Sequence, residues 1–427
     1  MKTQSTRPFS GFKSDNWRNL LYFGIVVFYV IVFLSSFFHG FEVYDYLQYW
    51  IAGKIADEKG YSEVYSLYEL RSVQQQFIDE SGDTEKENIA SILPLPLGYF
   101  SVFIIPFQFL SRISVERGYI IWTILNLALL ISYLIFFLRK TTPGDKNDAL
   151  NLKLLIPFLI SYAAFNNITN GQVEVFVLIC AGEFIRHTAN KKSILSGFWL
   201  GGLLIKPPLL ILIIPIFMIM RYWKVLLGFF VSSGIILGTS LLLSGQNGMR
   251  ALINIWTKVT GAGASTHPEF MVNWRMVGVN LDQIFNASFG WMIVSLGIIL
   301  TLIALLHLVW RIPPYGSPSW VMTILGVFTA TLAITWHSHY HMTIVMIPFL
   351  LYVFVHKLLP EKYILSWCYV TPLVYLSLLL FNIFFALIKI NLGIINLNIL
   401  GFTGMILNMV ILFSVLQAVK ARSLNNN

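Results

Sequence analysis

The chain has 427 residues, of which 56% are hydrophobic and only 11% are charged, whereas soluble domains carry roughly 25% charged residues. This composition excludes an ordinary soluble domain. The net charge of +9 would suggest a nucleic-acid partner in a soluble protein, but here the basic residues flank long apolar runs and set the topology. We therefore expect membrane lipids, and no nucleic acid, around this chain.

Long apolar runs recur along the sequence, each with at most one ionisable group. The longest are 20–38, 118–138, 225–243, 291–310 and 364–388. A helix of about 20 residues crosses the ~30 Å of hydrocarbon in a bilayer. The runs predict an all-α integral membrane protein whose residues 1–427 form a single transmembrane domain.

Basic residues before the first apolar run predict its direction across the membrane. The run is preceded by Lys2, Arg7, Lys13 and Arg18. The positive-inside rule therefore places residues 1–19 in the cytoplasm and the acidic segment 40–117 outside. Prolines interrupt the apolar part of that segment, 94–110, and a proline breaks a helix. We predict that 94–110 is a juxtamembrane or re-entrant element of the first external loop.

The rest of the chain predicts further membrane helices. Short helices are expected at 153–165 and 173–185, with a turn at 166–172 between them. Residues 193–220 are expected to form an outward hairpin with Lys206 at its apex. Residues 244–290 would form a second external loop. Five more helices, at about 291–310, 319–336, 341–357, 364–388 and 395–417, would lead to a cytoplasmic tail at 418–427. The prediction totals about twelve membrane helices.

Asp45 is a candidate general base. It follows the first apolar run and lies among Tyr44, Tyr46, Tyr49 and Trp50. Partial removal from water raises the pKa of a carboxyl group towards the range in which it accepts a proton. The alternative is a solvated loop acid beside interfacial aromatic residues.

Lys206 lies in the middle of an apolar stretch and precedes two prolines. Such a lysine marks a functional site or reaches the membrane surface with its side chain. The nearest acid in sequence, Glu183, is more than 20 residues away, so an internal salt bridge is not evident. A lipid phosphate is the expected counter-charge.

Two further polar segments interrupt apolar surroundings. Residues 166–174 (Asn-Asn-Ile-Thr-Asn-Gly-Gln-Val-Glu) by themselves indicate a helix cap and turn. His337, His339 and His341 alternate in a segment at helix ends, and alternating residues share one face only in a strand. We therefore expect phosphate binding or proton transfer by histidine, and no metal. Cys180 and Cys368 are far apart in apolar runs, which supports no cysteine-based site.

Taken together, these segments resemble glycosyltransferase family 87, the polyprenyl-phosphate-mannose-type transferases of the C-type (GT-C) superfamily. The matching elements span about residues 20–350. They are Asp45-Tyr46-x-x-Tyr49, Pro94-Leu-Pro96-Leu, Asn170-Gly171-Gln172-Val173, Gly201-Gly202-x-x-x-Lys206-Pro207 and Trp336-x-x-His339-Tyr340. The chain departs from the family pattern in having Leu93-Pro94-Leu95-Pro96 for Tyr-Pro-Pro, and Glu174 where a second Asn is preferred. The resemblance therefore defines neither the subfamily nor the sugar.

The resemblance implies a GT-C-type fold and an inverting transfer of a hexose, mannose being expected, from a polyprenyl phosphate to a lipid-linked or glycan acceptor. The site would face outside the plasma membrane and use no further cofactor. Asp45 would be the base, and Lys206 and His339 would hold the leaving phosphate. The remaining candidate substrate-binding residues are Gln172, Asn170, Tyr49, His341 and Arg275.

Two other functions stay open. A transporter of lipid-linked glycans would place its charges near the bilayer midplane, commonly between related halves. A lipid-linked glycan polymerase or ligase would carry arginine and histidine in a late external loop, and residues 244–290 contain Arg250, His267 and Arg275.

Overall fold

The computed structural model describes residues 14–38, 44–81, 97–142, 152–259, 268–286, 288–387 and 398–425. The predictions that concern Lys2, Arg7, Lys13, Pro94, Pro96 and His267 lie outside the described residues.

The described residues are almost entirely helical, and the β-contact among them is an isolated bridge between Met271 and His339. In chain order the helices are α1 (Ser14–Phe38), α2 (Tyr44–Glu58), α3 (Leu67–Ser81), α4 (Ile105–Leu110), α5 (Val115–Thr141), α6 (Ile156–Leu159), α7 (Tyr162–Thr169), α8 (Glu174–Ala189), α9 (Ser193–Gly201), α10 (Ile213–Ile219), α11 (Trp223–Asn254), α12 (Trp274–Phe285), α13 (Gly290–Trp310), α14 (Pro318–Ile334), α15 (Met346–Val355), α16 (Glu361–Leu387) and α17 (Ile399–Asn425). Shorter 3₁₀ segments include Ser101–Ile104, Gly202–Ile205, Pro207–Leu210 and Tyr340–Val345.

Among the described helices, five are long and apolar enough to cross a membrane, and they lie in α5, α11, α13, α16 and α17. The bent pair α6–α7, with the 3₁₀ turn before it, is long enough to form a sixth. The prediction of an all-α membrane protein is confirmed. The first apolar run, 20–38, falls within α1.

Several predicted boundaries were wrong. The helix expected at 153–165 is bent by 63°, because Ser161 accepts a hydrogen bond from the Ala164 amide and thereby starts α7 as a new helix. Residues 166–169 are the last turn of α7 and do not belong to the predicted turn.

Residue 244, where the second external loop was predicted to begin, is the last residue of the first of two helical parts of α11, and the second part runs to Asn254. The chain changes direction at Gly245, whose φ of 64° only glycine adopts without strain. A 3₁₀ segment replaces the start of the helix predicted at 341–357, and α17 extends through the expected tail as far as Asn425.

Helices α8 to α11 determine the position of Lys206. Helices α9 and α11 lie side by side in close contact, because a Cβ atom on Gly197 would fall 1.8 Å from the Val225 carbonyl oxygen. At the start of α9, Ser196 bonds Tyr315 at 2.9 Å. At the far end of the hairpin, Lys206 meets Glu174, the first residue of α8. This path agrees with the predicted hairpin.

The first loop packs α2 against α4. Trp50 Nε1 donates to the Ile113 carbonyl oxygen at 3.1 Å, and Arg112 Nη2 binds Asp57 Oδ1 at 2.7 Å. This packing fixes the direction of α2, which carries Asp45 in its first turn, and the juxtamembrane position of 94–110 stays a prediction.

Candidate active site

Asp45 lies half-buried in the first turn of α2. Its Oδ2 accepts a hydrogen bond from Gln172 Nε2 at 2.5 Å. Burial raises the pKa of the Asp45 carboxyl to about 6, although the charge of Lys206 and the bond from Gln172 act in the opposite direction. A carboxylate with this pKa is a competent proton acceptor near neutral pH.

The turn between α7 and α8 presents Gln172. Gly171 has a φ of 63°, and a Cβ at this position would lie 2.7 Å from the Tyr46 side chain, so only glycine fits here. The turn is also held from α5, where Trp122 Nε1 donates to the Gly171 carbonyl oxygen at 2.9 Å. The Asn-Gly-Gln segment is therefore a rigid support for the side chain of Gln172.

Hydrogen bonds lead from Gln172 towards Lys206. The Tyr49 hydroxyl donates to Gln172 Oε1 and to the Tyr99 hydroxyl, at 2.8 Å in each case. The Lys206 ammonium lies over the Tyr99 ring, 4.8 Å from its centroid. The structure thus brings together four residues that the sequence singled out separately, namely Asp45, Tyr49, Gln172 and Lys206.

The expectation that Lys206 has no internal salt bridge was wrong. Its Nζ lies 2.6 Å from Oε1 of Glu174, whose side chain is fully buried. Asn167 Nδ2 donates to the other carboxylate oxygen at 3.1 Å. A buried ammonium needs an opposite charge, and α8 supplies one from a helix that is distant in sequence.

The three histidines of the segment after α14 lie together. The ring centroids of His337 and His339 are 4.6 Å apart, and those of His339 and His341 are 5.7 Å apart. The expectation that the helix ends would separate them was wrong, because the backbone is extended at His339, directly before the 3₁₀ segment that carries His341, and the Val272 amide donates to the Ser338 carbonyl oxygen at 2.8 Å. His341 Nε2 lies 3.5 Å from Glu174 Oε1, which joins the histidines to the Lys206 pair.

The two remaining candidates lie at the margin. Arg275 rests on the face of Trp336, with its guanidinium carbon 4.0 Å from the ring centroid, and so lies next to the histidine segment. Asn170 caps α7 through its backbone, and its side chain makes no hydrogen bond within the described part of the chain.

The positions of histidine, cysteine and carboxylate side chains determine whether a metal ion could bind. Across the described ranges, no group of three or more histidine, cysteine or carboxylate side chains could hold a metal ion. The absence of a metal nevertheless stays a prediction.

Sequence reasoning missed Tyr99, Glu174 and the role of Asn167. Glu174 had a usable signal, because a carboxylate inside one apolar segment and a lysine inside another are expected to pair. Tyr99 had no such signal in the sequence, since tyrosines are common at membrane boundaries and only its contacts in the structure distinguish it.

The site can accept a proton at Asp45 and hold an anion at Lys206. An ammonium has three N–H donors, and Glu174 takes one of them. The remaining donors and the neighbouring histidines suit an anionic leaving group.

Comparison with known proteins gave one family. The sequence model of glycosyltransferase family 87 matches residues 99–335, a range that begins at Tyr99 and includes Gln172, Lys206 and Arg275. Asp45 precedes the matched range and the histidine segment follows it directly. No curated protein and no solved structure matched the chain.

Proposed function

The chain belongs to glycosyltransferase family 87, and on that premise we propose that it transfers a hexose, expected to be mannose, from a polyprenyl phosphate to a lipid-linked or glycan acceptor. Membership makes it a membrane glycosyltransferase. The donor, the sugar and the acceptor are the proposed parts.

The proposed reaction inverts the anomeric centre. Asp45 takes the proton of the acceptor hydroxyl as its oxygen attacks the anomeric carbon. The bond between that carbon and the phosphate oxygen breaks, and the polyprenyl phosphate leaves with the electron pair. Lys206 and His339 stabilise its charge, helped by His341, while Arg275 and Asn170 contact substrate at the margin of the site.

One observation carries the proposal. A carboxylate whose pKa is raised to about 6 is linked by the hydrogen bonds of Gln172 and Tyr49 to Tyr99, and Tyr99 contacts a largely buried ammonium. Proton removal from an acceptor and departure of a phosphate need this combination in one site. A transporter would need charges placed for passage through the membrane, whereas here both groups are held in place by these contacts.

The proposed topology has about twelve membrane helices in the plasma membrane, with the site on the outer face. The five long helices and the bent pair α6–α7 would be joined by α1, α8, α14, the segment Tyr340–Val355 and the two arms of the Lys206 hairpin. The distribution of basic residues supports this count.

Transfer activity tests the function directly. Purified protein in lipid, given labelled polyprenyl-phosphate mannose and membrane lipid extract, is expected to release polyprenyl phosphate and to form a labelled product in equal amount. Glucose and galactose donors are the controls for the sugar. Movement of donor across vesicles without cleavage would indicate a transporter, and growth of a polymer from lipid-linked oligosaccharide would indicate a polymerase.

Labelling in intact cells tests the side of the membrane. In a variant lacking Cys180 and Cys368, an impermeant thiol reagent is expected to modify Asp45→Cys and His339→Cys without permeabilisation. Lys192→Cys, exposed at the opposite end of the hairpin, is the matched control and should react only after permeabilisation. The reverse pattern would place the site in the cytoplasm.

A further inference from the structure

Two tyrosines join the candidate base to the candidate phosphate-binding lysine. Tyr49 comes from α2 and Tyr99 from the segment before α4, and their hydroxyl oxygens lie 2.8 Å apart. Tyr49 is buried, and its ring stacks on Phe107 with centroids 4.8 Å apart. The hydroxyls are thus held at fixed positions between Gln172 and Lys206.

Donor and acceptor capacity determines the direction of the two bonds at Gln172. The ionised Asp45 only accepts, so the amide nitrogen of Gln172 faces it and Gln172 Oε1 faces Tyr49. That oxygen also only accepts, so the Tyr49 hydroxyl donates to it. Tyr49 is also the donor towards the Tyr99 hydroxyl, and the Lys206 ammonium lies over the Tyr99 ring, 4.8 Å from its centroid.

The two bonds at Gln172 therefore both point from Tyr49 towards the Asp45 carboxylate. Successive hydrogen bonds with one direction polarise and strengthen each other. Loss of an inner link would leave a buried acceptor without its donor, which costs more than the bond itself contributes. The base and the cation are in this way held as one unit.

The backbone of Tyr99 is anchored independently of this chain. Tyr65 donates from its hydroxyl to the Tyr99 carbonyl oxygen at 2.8 Å, and Trp256 Nε1 donates to the Gly98 carbonyl oxygen at 2.9 Å. Removal of the Tyr99 hydroxyl should therefore leave the segment in place.

We propose that Tyr49 and Tyr99 are positioning residues: the hydrogen bonds of Tyr49 with Gln172 and Tyr99, and the contact of Tyr99 with Lys206, fix Asp45 and Lys206 relative to each other for sugar transfer. The proposal rests on the proposed function, because it gives these two tyrosines a role in the proposed sugar transfer.

Phenylalanine variants separate the hydroxyls from the rings. Tyr49→Phe is expected to lower kcat about 10-fold with little change in donor KM, because it releases Gln172 and thereby Asp45. Tyr99→Phe is expected to act more on donor KM, because Tyr99 contacts Lys206. In the double variant the loss should fall well short of the product of the single losses, since both act through one chain.

Tyr46→Phe is the matched control. Tyr46 lies one turn from Tyr49 on α2, is fully buried, and has a hydroxyl without a hydrogen-bond partner among the described residues. Its variant should keep the wild-type kcat and KM. Equal kinetics for Tyr49→Phe and Tyr46→Phe, or fully multiplicative losses in the double variant, would overturn the proposal.

The titration of Asp45 can be measured without any sugar transfer, so it tests this inference separately from the proposed function. A hydrophobic carbodiimide reacts with protonated carboxyl groups, so the pH dependence of Asp45 labelling, followed by peptide mass spectrometry with Asp45→Asn as blank, reports its titration. The charged or titratable groups facing Asp45 are Lys206, Glu174 and Tyr49, and Tyr99→Phe leaves all three in place.

Because a hydrogen bond to the ionised form favours that form, its loss should raise the labelling midpoint by about half a pH unit in Tyr49→Phe. A smaller shift in the same direction is expected for Tyr99→Phe, and no shift for Tyr46→Phe. If the midpoint moves as expected but no sugar is transferred, the link between the tyrosines and Asp45 is supported and the proposed reaction is refuted. If sugar is transferred but Tyr49→Phe leaves the midpoint and kcat unchanged, the tyrosine link is refuted.

Discussion

Asparagine in place of Asp45 is expected to lower the rate of sugar transfer by about 10²- to 10⁴-fold, the usual contribution of a general base. Asparagine keeps an oxygen that can accept the bond from Gln172, so the fold and the donor site should persist. The measurement is kcat for transfer, together with donor binding by the same variant in lipid, which should stay within about threefold of wild type since the donor phosphate does not contact this carboxyl. A well-folded Asp45→Asn variant with wild-type kcat would remove Asp45 from the role of base.

The same assignment determines the pH profile. A base acts in its ionised form, and burial raises the pKa of Asp45 to about 6. The rate should therefore rise with pH through about 6 and level off above it. A rate that falls between pH 5 and pH 7 would contradict the assignment.

Loss of the Lys206 ammonium is expected to affect both stability and donor binding. Lys206→Met leaves the buried Glu174 carboxylate without its partner, and breaking a buried ion pair costs about 3–5 kcal/mol. The variant should unfold at a lower temperature. It should also bind donor about 10- to 150-fold more weakly, because a charge-assisted contact with the phosphate is lost.

A second substitution separates the two effects. In Lys206→Met with Glu174→Gln no charge is left unpaired at this position, so the thermal unfolding temperature should recover towards wild type. Donor affinity should stay low, because the phosphate still lacks its cation. Lys206→Arg, which preserves the charge but changes the geometry, should retain part of the affinity. If the double variant binds donor as tightly as wild type, Lys206 serves only to neutralise Glu174.

The histidine segment shows how far local pattern reasoning reaches. The alternation of His337, His339 and His341 was visible in the sequence, and so was the rule that alternating residues share a face in extended backbone. The extended conformation itself depends on the Met271–His339 bridge, which a distant segment supplies. The residues were therefore predictable and their grouping was not.

Membrane location was determined by the sequence itself, because the free energy of moving a segment from water into hydrocarbon depends mainly on its own side chains. For the same reason Asp45, Gln172, Lys206 and the histidines could be singled out, since polar groups beside apolar runs are costly unless they have a role.

Only the tertiary structure decided which of these groups are partners. Glu174 neutralises Lys206 because α8 packs beside the hairpin of α9 and α10, and Tyr99 reaches Tyr49 because α4 packs on α2. Hydrogen bonds and ion pairs act over a few ångströms. Contacts of that range between distant segments depend on how helices pack, which no local stretch of sequence specifies.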